Sequence, residues 1–201
     1  MKDARNHAGW RTRGYLPHWD AADAVQHVVF RLADSLPATV LADLEFAPVE
    51  LRLERAEATL DQGVGGCALR DPRLAGLVDD ALRHFDGVRY RLFAWCVMPT
   101  HVHALIAEVE GWPVANVVHS WKSFTAHKAN AIGRARGAFW AREYFDRWMR
   151  DDSQAETTRA YIEFNPVAAG LCARPEDWAW SSARCRRDAG ATCGPRQRTL
   201  V

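Results

Sequence analysis

The stretch Val88–Val109, VRYRLFAWCVMPTHVHALIAEV, decides the fold. Two runs rich in β-branched and aromatic residues, Val88–Met98 and His101–Val109, flank Pro99 and Thr100, the pattern of an antiparallel hairpin of two central strands. Strand side chains alternate between faces, so His101 and His103 turn their imidazoles to the same side of the sheet. That arrangement suits the sharing of one divalent cation. Histidines at this spacing also occur as half-buried residues with satisfied hydrogen bonds, and the pair alone leaves both readings open.

Helical patterns surround the hairpin. Upstream, Asp71 is placed as an N-cap with Pro72 at the first helical position, and Leu74, Leu77, Val78, Ala81, Leu82 and Phe85 recur at helical spacing before Gly87. Val49, Leu53, Ala56 and Leu60 predict a second helix that stops at Gly63, Gly65 and Gly66. Before it, Val25–Ala33 (VQHVVFRLA), bounded by Asp20 and Pro37, reads as a strand. Downstream, Val114 to about Ile132 predicts a long helix ending near Gly133, and Phe139–Phe145 a further strand. The last helix starts at Ser153, which forms an S-x-x-E capping box with Glu156, and runs to the Asn165-Pro166 step, where proline disfavours helical dihedrals in the preceding residue. Strand, helix, two strands, helix, strand, helix is the order of an α+β, ferredoxin-like β-α-β-β-α-β unit with additions, an antiparallel sheet with helices on its faces.

Composition is consistent with one ordinary globular domain. The chain has 201 residues, 48% hydrophobic and 25% charged, which excludes disorder and collagen-like structure. A chain of this size buries about 70% of its unfolded surface and needs no staple. No run approaches the roughly 18 to 20 apolar residues of a membrane span, and Met1 to Arg13 lacks an apolar signal core; a cytoplasmic protein without membrane contact is expected. Cys67, Cys96, Cys172, Cys185 and Cys193 are scattered and odd in number, as reduced thiols are. Net charge is +1, yet the charge is segregated. Asp34–Gln62 holds seven acidic and two basic residues, whereas Pro113–Arg150 holds seven basic residues against Glu143 and Asp146. Arg184, Arg186, Arg187, Arg196 and Arg198 follow, against Asp188 alone. A phosphate-binding surface is one reading of this asymmetry, and solvated faces with a loose end are the other.

Tyr161 and Asn165 are four apart in the last helix and share a face. A tyrosine there is ordinarily a core-edge residue and an asparagine before proline a helix stop. Taken with the histidines they suggest more. A tyrosine hydroxyl can act as a covalent nucleophile, and a metal held by two histidines and an amide oxygen polarises a phosphoryl oxygen. The combination suits phosphodiester transesterification. Lys122, Lys128, Arg134, Arg136, Arg142, Arg147 and Arg150 are candidates to line a strand path, and Trp121, Trp140 and Trp148 to stack on unpaired bases. His18, His27, His84, His119 and His127 show no ligand-like spacing and are read as structural or surface residues.

AWCVMPTHVHALI resembles the metal-binding motif of HUH single-strand endonucleases. WKSFTAH, REYFDRWMR, YIEFNPVAAGL and WAWSSAR follow in the order seen in REP-associated tyrosine transposases, and the likeness runs from about Gly14 (RGYLPHWD) to Arg184. The resemblance implies a catalytic domain over 14–184; the basic tail over 185–201 reads either as an ordered DNA clamp or as a disordered end. His101 and His103 would bind the metal, Asn165 would be a third ligand, and Tyr161 would attack a DNA phosphate to give a 5′-phosphotyrosine and a free 3′-hydroxyl. Mg²⁺ or Mn²⁺ is the implied ion, because amide and water oxygens suit a harder cation than Zn²⁺. The implied partner is single-stranded DNA bearing a hairpin, at the nucleoid, with a monomer favoured over a dimer and Tyr161 acting in cis. Two positions depart from the family pattern: Thr100 stands where asparagine is expected, and Phe164 where a polar residue is usual. Two other readings stay open, a hairpin-binding protein with little nuclease activity and a hydrolase in which the histidine pair activates water.

Overall fold

The computed structural model describes residues 9–13, 16–20, 24–133 and 137–189. A hairpin, β1 (Gly9–Arg13) with β2 (Leu16–Asp20), comes first, where the sequence predicts no strand. β3 (Val25–Arg31) follows, then α1 (Ala38–Phe46), α2 (Val49–Leu60), α3 (Pro72–Arg83), β4 (Tyr90–Val97) and β5 (His101–Glu108). The chain continues through α4 (Val114–Gly133), β6 (Phe145–Trp148), α5 (Asp152–Ala168) and α6 (Ser182–Ala189). Leaving out β1 and β2, the sheet order is β4-β5-β3-β6 and every pairing is antiparallel, which is the ferredoxin-like arrangement.

Register decides what each face of the sheet carries. Val29 lies opposite His103 and Arg31 opposite His101. Val28, Phe30, Val102, Ala104 and Ile106 point one way, into a core shared with α3 and α4. His27, Val29, His101, His103 and Leu105 therefore point the other way, toward two smaller apolar clusters. One joins Val29 and Phe145 to Leu44, Ala56 and Leu60 of α1 and α2; the other joins Leu105, Cys96 and Met98 to Ile162 of α5. β5 is buried along its whole length because both of its faces are covered.

Several boundaries differ from expectation, each for a local reason. α1 is not predicted; only Leu44 of its residues is buried, so it leaves no apolar stripe to read. The strand expected at Phe139–Phe145 forms one step later. Trp140 makes only an isolated bridge to Leu32 and turns its ring onto Phe30, donating its Nε1–H to Thr125 Oγ1 at 2.9 Å, while Phe145–Trp148 pair with Gln26–Val29. α5 is capped by Asp151, which accepts from the Gln154 N–H at 2.7 Å, rather than by Ser153. It also passes through Asn165-Pro166. The Pro166 ring removes one helical donor, and the last turn is held by Ala169 N–H donating to the Asn165 carbonyl and Leu171 N–H to that of Pro166. Of the tail expected from residue 185, the first five residues belong to α6 and the remainder lies outside the described residues.

The exit of α2 is pinned at two glycines. A Cβ at Gly65 or Gly66 would overlap the Ser35 backbone or the Asp34 side chain, and Gly66 N–H donates to the Asp34 carbonyl. This close approach sets the end of α2 against the exit of β3, and with it the position of Asp61, the residue that caps α2.

Candidate metal and nucleophile site

His101 and His103 meet as their spacing predicts, with Nε2 atoms 2.8 Å apart in a fully buried position. Thr100 fixes the state of the first ring. Its hydroxyl has one proton and two neighbours, the Leu60 carbonyl at 3.2 Å and His101 Nδ1 at 2.7 Å. The carbonyl only accepts, so the hydroxyl donates there and takes the His101 Nδ1–H, which leaves His101 Nε2 as a bare lone pair facing His103. Threonine thus supplies an orienting contact at the position that departs from the family pattern.

α5 approaches the pair from one side. The Asn165 side-chain amide lies 3.2 Å from His103 Nε2, and Tyr161 stands one turn earlier on the same helix. Tyr161 is 40% exposed. Its ring stands edge-on to His103, with centroids 5.9 Å apart.

α2 brings two carboxylates that the sequence reading does not single out. Asp61 Oδ1 is 3.6 Å from His101 Nε2, and Glu57 Oε1 is 3.5 Å from His103 Nδ1. Asp61, His101 and His103 bring three ligand atoms within 4.8 Å of one another, as do His27, Glu57 and His103. His27, read from sequence as structural, stacks on His103, with Nε2 3.0 Å from His103 Nδ1.

Electrostatics reflect the enclosure. Burial pushes His101 and His27 down to about 3 and His103 well below its ordinary value, so all three rings are neutral at neutral pH. Burial, and then the Asp61 charge, raises Glu57 to about 7; burial raises Asp61 to about 6. The Tyr161 phenol is pushed up as well, by burial and then by the two carboxylates. Glu57 Oε1, Asp61 Oδ1 and Asn165 Oδ1 are buried without a hydrogen-bond partner. Orphaned acceptors of this kind cost about 1–3 kcal/mol each, and here they cluster around bare imidazole nitrogens. A divalent cation fits that donor set: two imidazoles, a carboxylate and an amide oxygen.

The expected nucleic-acid contacts divide between the two faces of the sheet. Arg147 is exposed on β6, opposite His27, and its charge acts on both His27 and Glu57. Lys122 and Lys128 sit on α4, which covers the other face; Lys122 donates to the Arg142 carbonyl at 2.8 Å, and burial lowers it to about 8. Arg142 and Arg150 are exposed, and Arg134 and Arg136 lie outside the described residues. Trp121 is a correction. It is 3% exposed, packs on Phe30 and donates to the Tyr90 hydroxyl, so it offers no surface to a base. Trp140 is buried too, whereas Trp148 is 47% exposed.

The carboxylates left a signal in the sequence. Leu53, Glu57 and Asp61 follow at intervals of four, which places two acids on the apolar stripe of α2, where a solvated acid does not belong. His27 left less, since only the β3–β5 register brings it beside His103.

Residues 74–165 match the family model for IS200-like transposases. The matched segment takes in His101, His103, Tyr161 and Asn165, while His27, Glu57 and Asp61 precede it. No curated protein matches the chain. Among solved structures, a REP-associated tyrosine transposase bound to a REP hairpin is similar, with 15% identity and a TM-score of 0.56 over 95% of this chain and 91% of that one. A candidate transposase from Deinococcus radiodurans R1 is similar more loosely, with 17% identity and a TM-score of 0.40 over 77% of this chain and 96% of that one. Among the described residues no helix is long and apolar enough to cross a membrane.

Proposed function

We propose that this chain, whose residues 74–165 match the family model for IS200-like transposases, is a metal-dependent single-strand DNA endonuclease and strand transferase with Tyr161 as its nucleophile. One observation carries the reading: the buried, unpartnered oxygens of Glu57, Asp61 and Asn165 and a bare imidazole nitrogen gather beside the partly exposed Tyr161. His101, His103 and Asp61 would hold a divalent cation, Mg²⁺ or Mn²⁺, with Asn165 Oδ1 as a further oxygen. When bound, that ion orients a phosphate and offsets the charge that develops on it.

The chain's own residues supply the rest. Asn165, one helical turn from Tyr161, and Glu57 would hold the phenol at the edge of the site as it reacts. Tyr161 Oη attacks the phosphorus as the bond from phosphorus to the 3′ oxygen breaks. The phenol loses its proton, the departing 3′ oxygen gains one, and the products are a 5′-phosphotyrosine and a 3′-hydroxyl. Attack of a 3′-hydroxyl on the phosphotyrosine reverses these changes and rejoins a strand without ATP. Arg147, exposed on the histidine side of β6, is placed to hold a neighbouring phosphate of the same strand. The proposed substrate is single-stranded DNA with a hairpin, a reading supported by the similar solved structure being bound to a REP hairpin, and one chain supplies both metal ligands and nucleophile.

A denaturing gel of end-labelled hairpin DNA tests the reading, run with Mn²⁺, with chelator and with Tyr161→Phe. The expected result is a metal-dependent protein–DNA band that the variant lacks while still binding the hairpin. Cleavage that survives Tyr161→Phe would point to water activated at the histidine pair. Hairpin binding with neither adduct nor cleavage would make the chain a binding protein.

A further inference from the structure

We infer that His27 is a positioning residue: by accepting the Nδ1–H of His103 it turns the Nε2 lone pair of that ring toward the cation, and its own ring packs against Tyr161. The inference rests on the reading that His101 and His103 bind a divalent cation.

A histidine ligates through a nitrogen that carries no proton, and a neutral ring carries its proton on the other nitrogen. Thr100 settles this for His101, as shown above. For His103 to ligate through Nε2, the nitrogen nearest His101 and Asn165, its proton must reside on Nδ1. Two acceptors stand near that atom, His27 Nε2 at 3.0 Å and Glu57 Oε1 at 3.5 Å. Only the first is within good hydrogen-bond range. His27 is 3% exposed and fixed in β3, so water does not compete for the contact. The two rings lie nearly parallel, 15° apart with centroids at 5.2 Å. The edge contact with Tyr161 is at 6.2 Å and 79°, so one side chain touches both halves of the site.

Two substitutions separate the two contacts. His27→Gln keeps an acceptor near the Nε2 position and removes the ring. His27→Phe keeps a ring against Tyr161 and removes the acceptor. Mn²⁺ affinity is read without DNA, from the loss of the free-ion electron paramagnetic resonance signal, with circular dichroism and thermal unfolding as controls for folding. Loss of such an orienting contact typically costs about 10- to 100-fold in metal affinity. His27→Phe is expected to show that loss and His27→Gln to stay within about threefold of wild type, whereas adduct formation at saturating Mn²⁺ should fall more in His27→Gln. Equal Mn²⁺ affinity in wild type and His27→Phe overturns the inference. Failure of wild type to bind Mn²⁺ overturns the cation reading as well, so the two failures are distinguishable. If His27→Phe does not fold, histidine ¹⁵N resonances of the Mg²⁺-loaded wild type decide: His27 protonated on Nδ1 with bare Nε2 upholds the inference, and the opposite tautomer refutes it.

Discussion

Glu57 gives the sharpest quantitative test, because burial and the neighbouring Asp61 charge outweigh the lowering effect of Arg147 on its carboxyl. Holding it at about 7 instead of its ordinary 4.5 means that the metal-free fold keeps a proton the unfolded chain has lost. Stability therefore falls as pH rises from about 4.5 to 7, and the loss is complete above that. At about 1.4 kcal/mol per pH unit the ceiling is about 3 kcal/mol, or about 5 to 10 °C in Tm for a chain of this size. Glu57→Gln removes this one contribution and leaves the histidine and Asp61 titrations common to both proteins. With chelator present, the variant should gain stability over wild type between pH 5 and pH 8, by up to about 3 kcal/mol. Saturating Mn²⁺ at pH 8 should narrow the gap, since the ion stabilises the ionised wild type by mass action. Urea unfolding across the pH range measures it. Parallel curves for the two proteins from pH 5 to pH 8 would sink the argument that Glu57 is held protonated by its surroundings.

Thr100→Val removes the acceptor of the His101 Nδ1–H, and Mn²⁺ affinity should drop about tenfold while Thr100→Ser retains it; isothermal titration distinguishes them. Arg147→Ala should weaken single-strand binding and lower its salt slope by about 0.7, with Lys128→Ala, on the opposite face, nearly silent in the same anisotropy titrations. Tyr90→Phe cuts a buried chain in which the Trp121 indole donates to Tyr90 Oη at 3.0 Å and that hydroxyl donates to the Leu82 carbonyl at 2.7 Å. A cost of about 1–3 kcal/mol is expected in thermal unfolding, with Mn²⁺ binding unchanged because this chain lies across the sheet from the histidines.

The parts of the molecule legible in the sequence are those written in local periodicity. The β4–β5 hairpin, the Asp71-Pro72 start of α3 and the shared face of Tyr161 and Asn165 each need only alternation, a cap or a four-residue interval. α1 escaped because it buries one side chain, and the end of α5 because the shape of a helix at proline depends on which neighbours take the freed carbonyls. His27 could not be read, since its place beside His103 depends on a pairing between strands 76 residues apart. Glu57 and Asp61 were readable but hidden in a generally acidic segment, where their interval of four carries less weight than the net charge around it. Trp121 shows the opposite error: an aromatic amid cations suggests a base platform, and only the buried bond to Tyr90 reveals its structural role.

The order in which the site's parts occur along the chain has a temporal consequence. His27, Glu57, Asp61, His101 and His103 all precede Tyr161 and Asn165 by more than fifty residues. Since synthesis runs from the N-terminus, a growing chain acquires every imidazole and carboxylate of the pocket before it acquires Tyr161. α5 then closes over a strand face already laid down. On the proposed mechanism, strand-cutting competence arrives only with α5, late in translation.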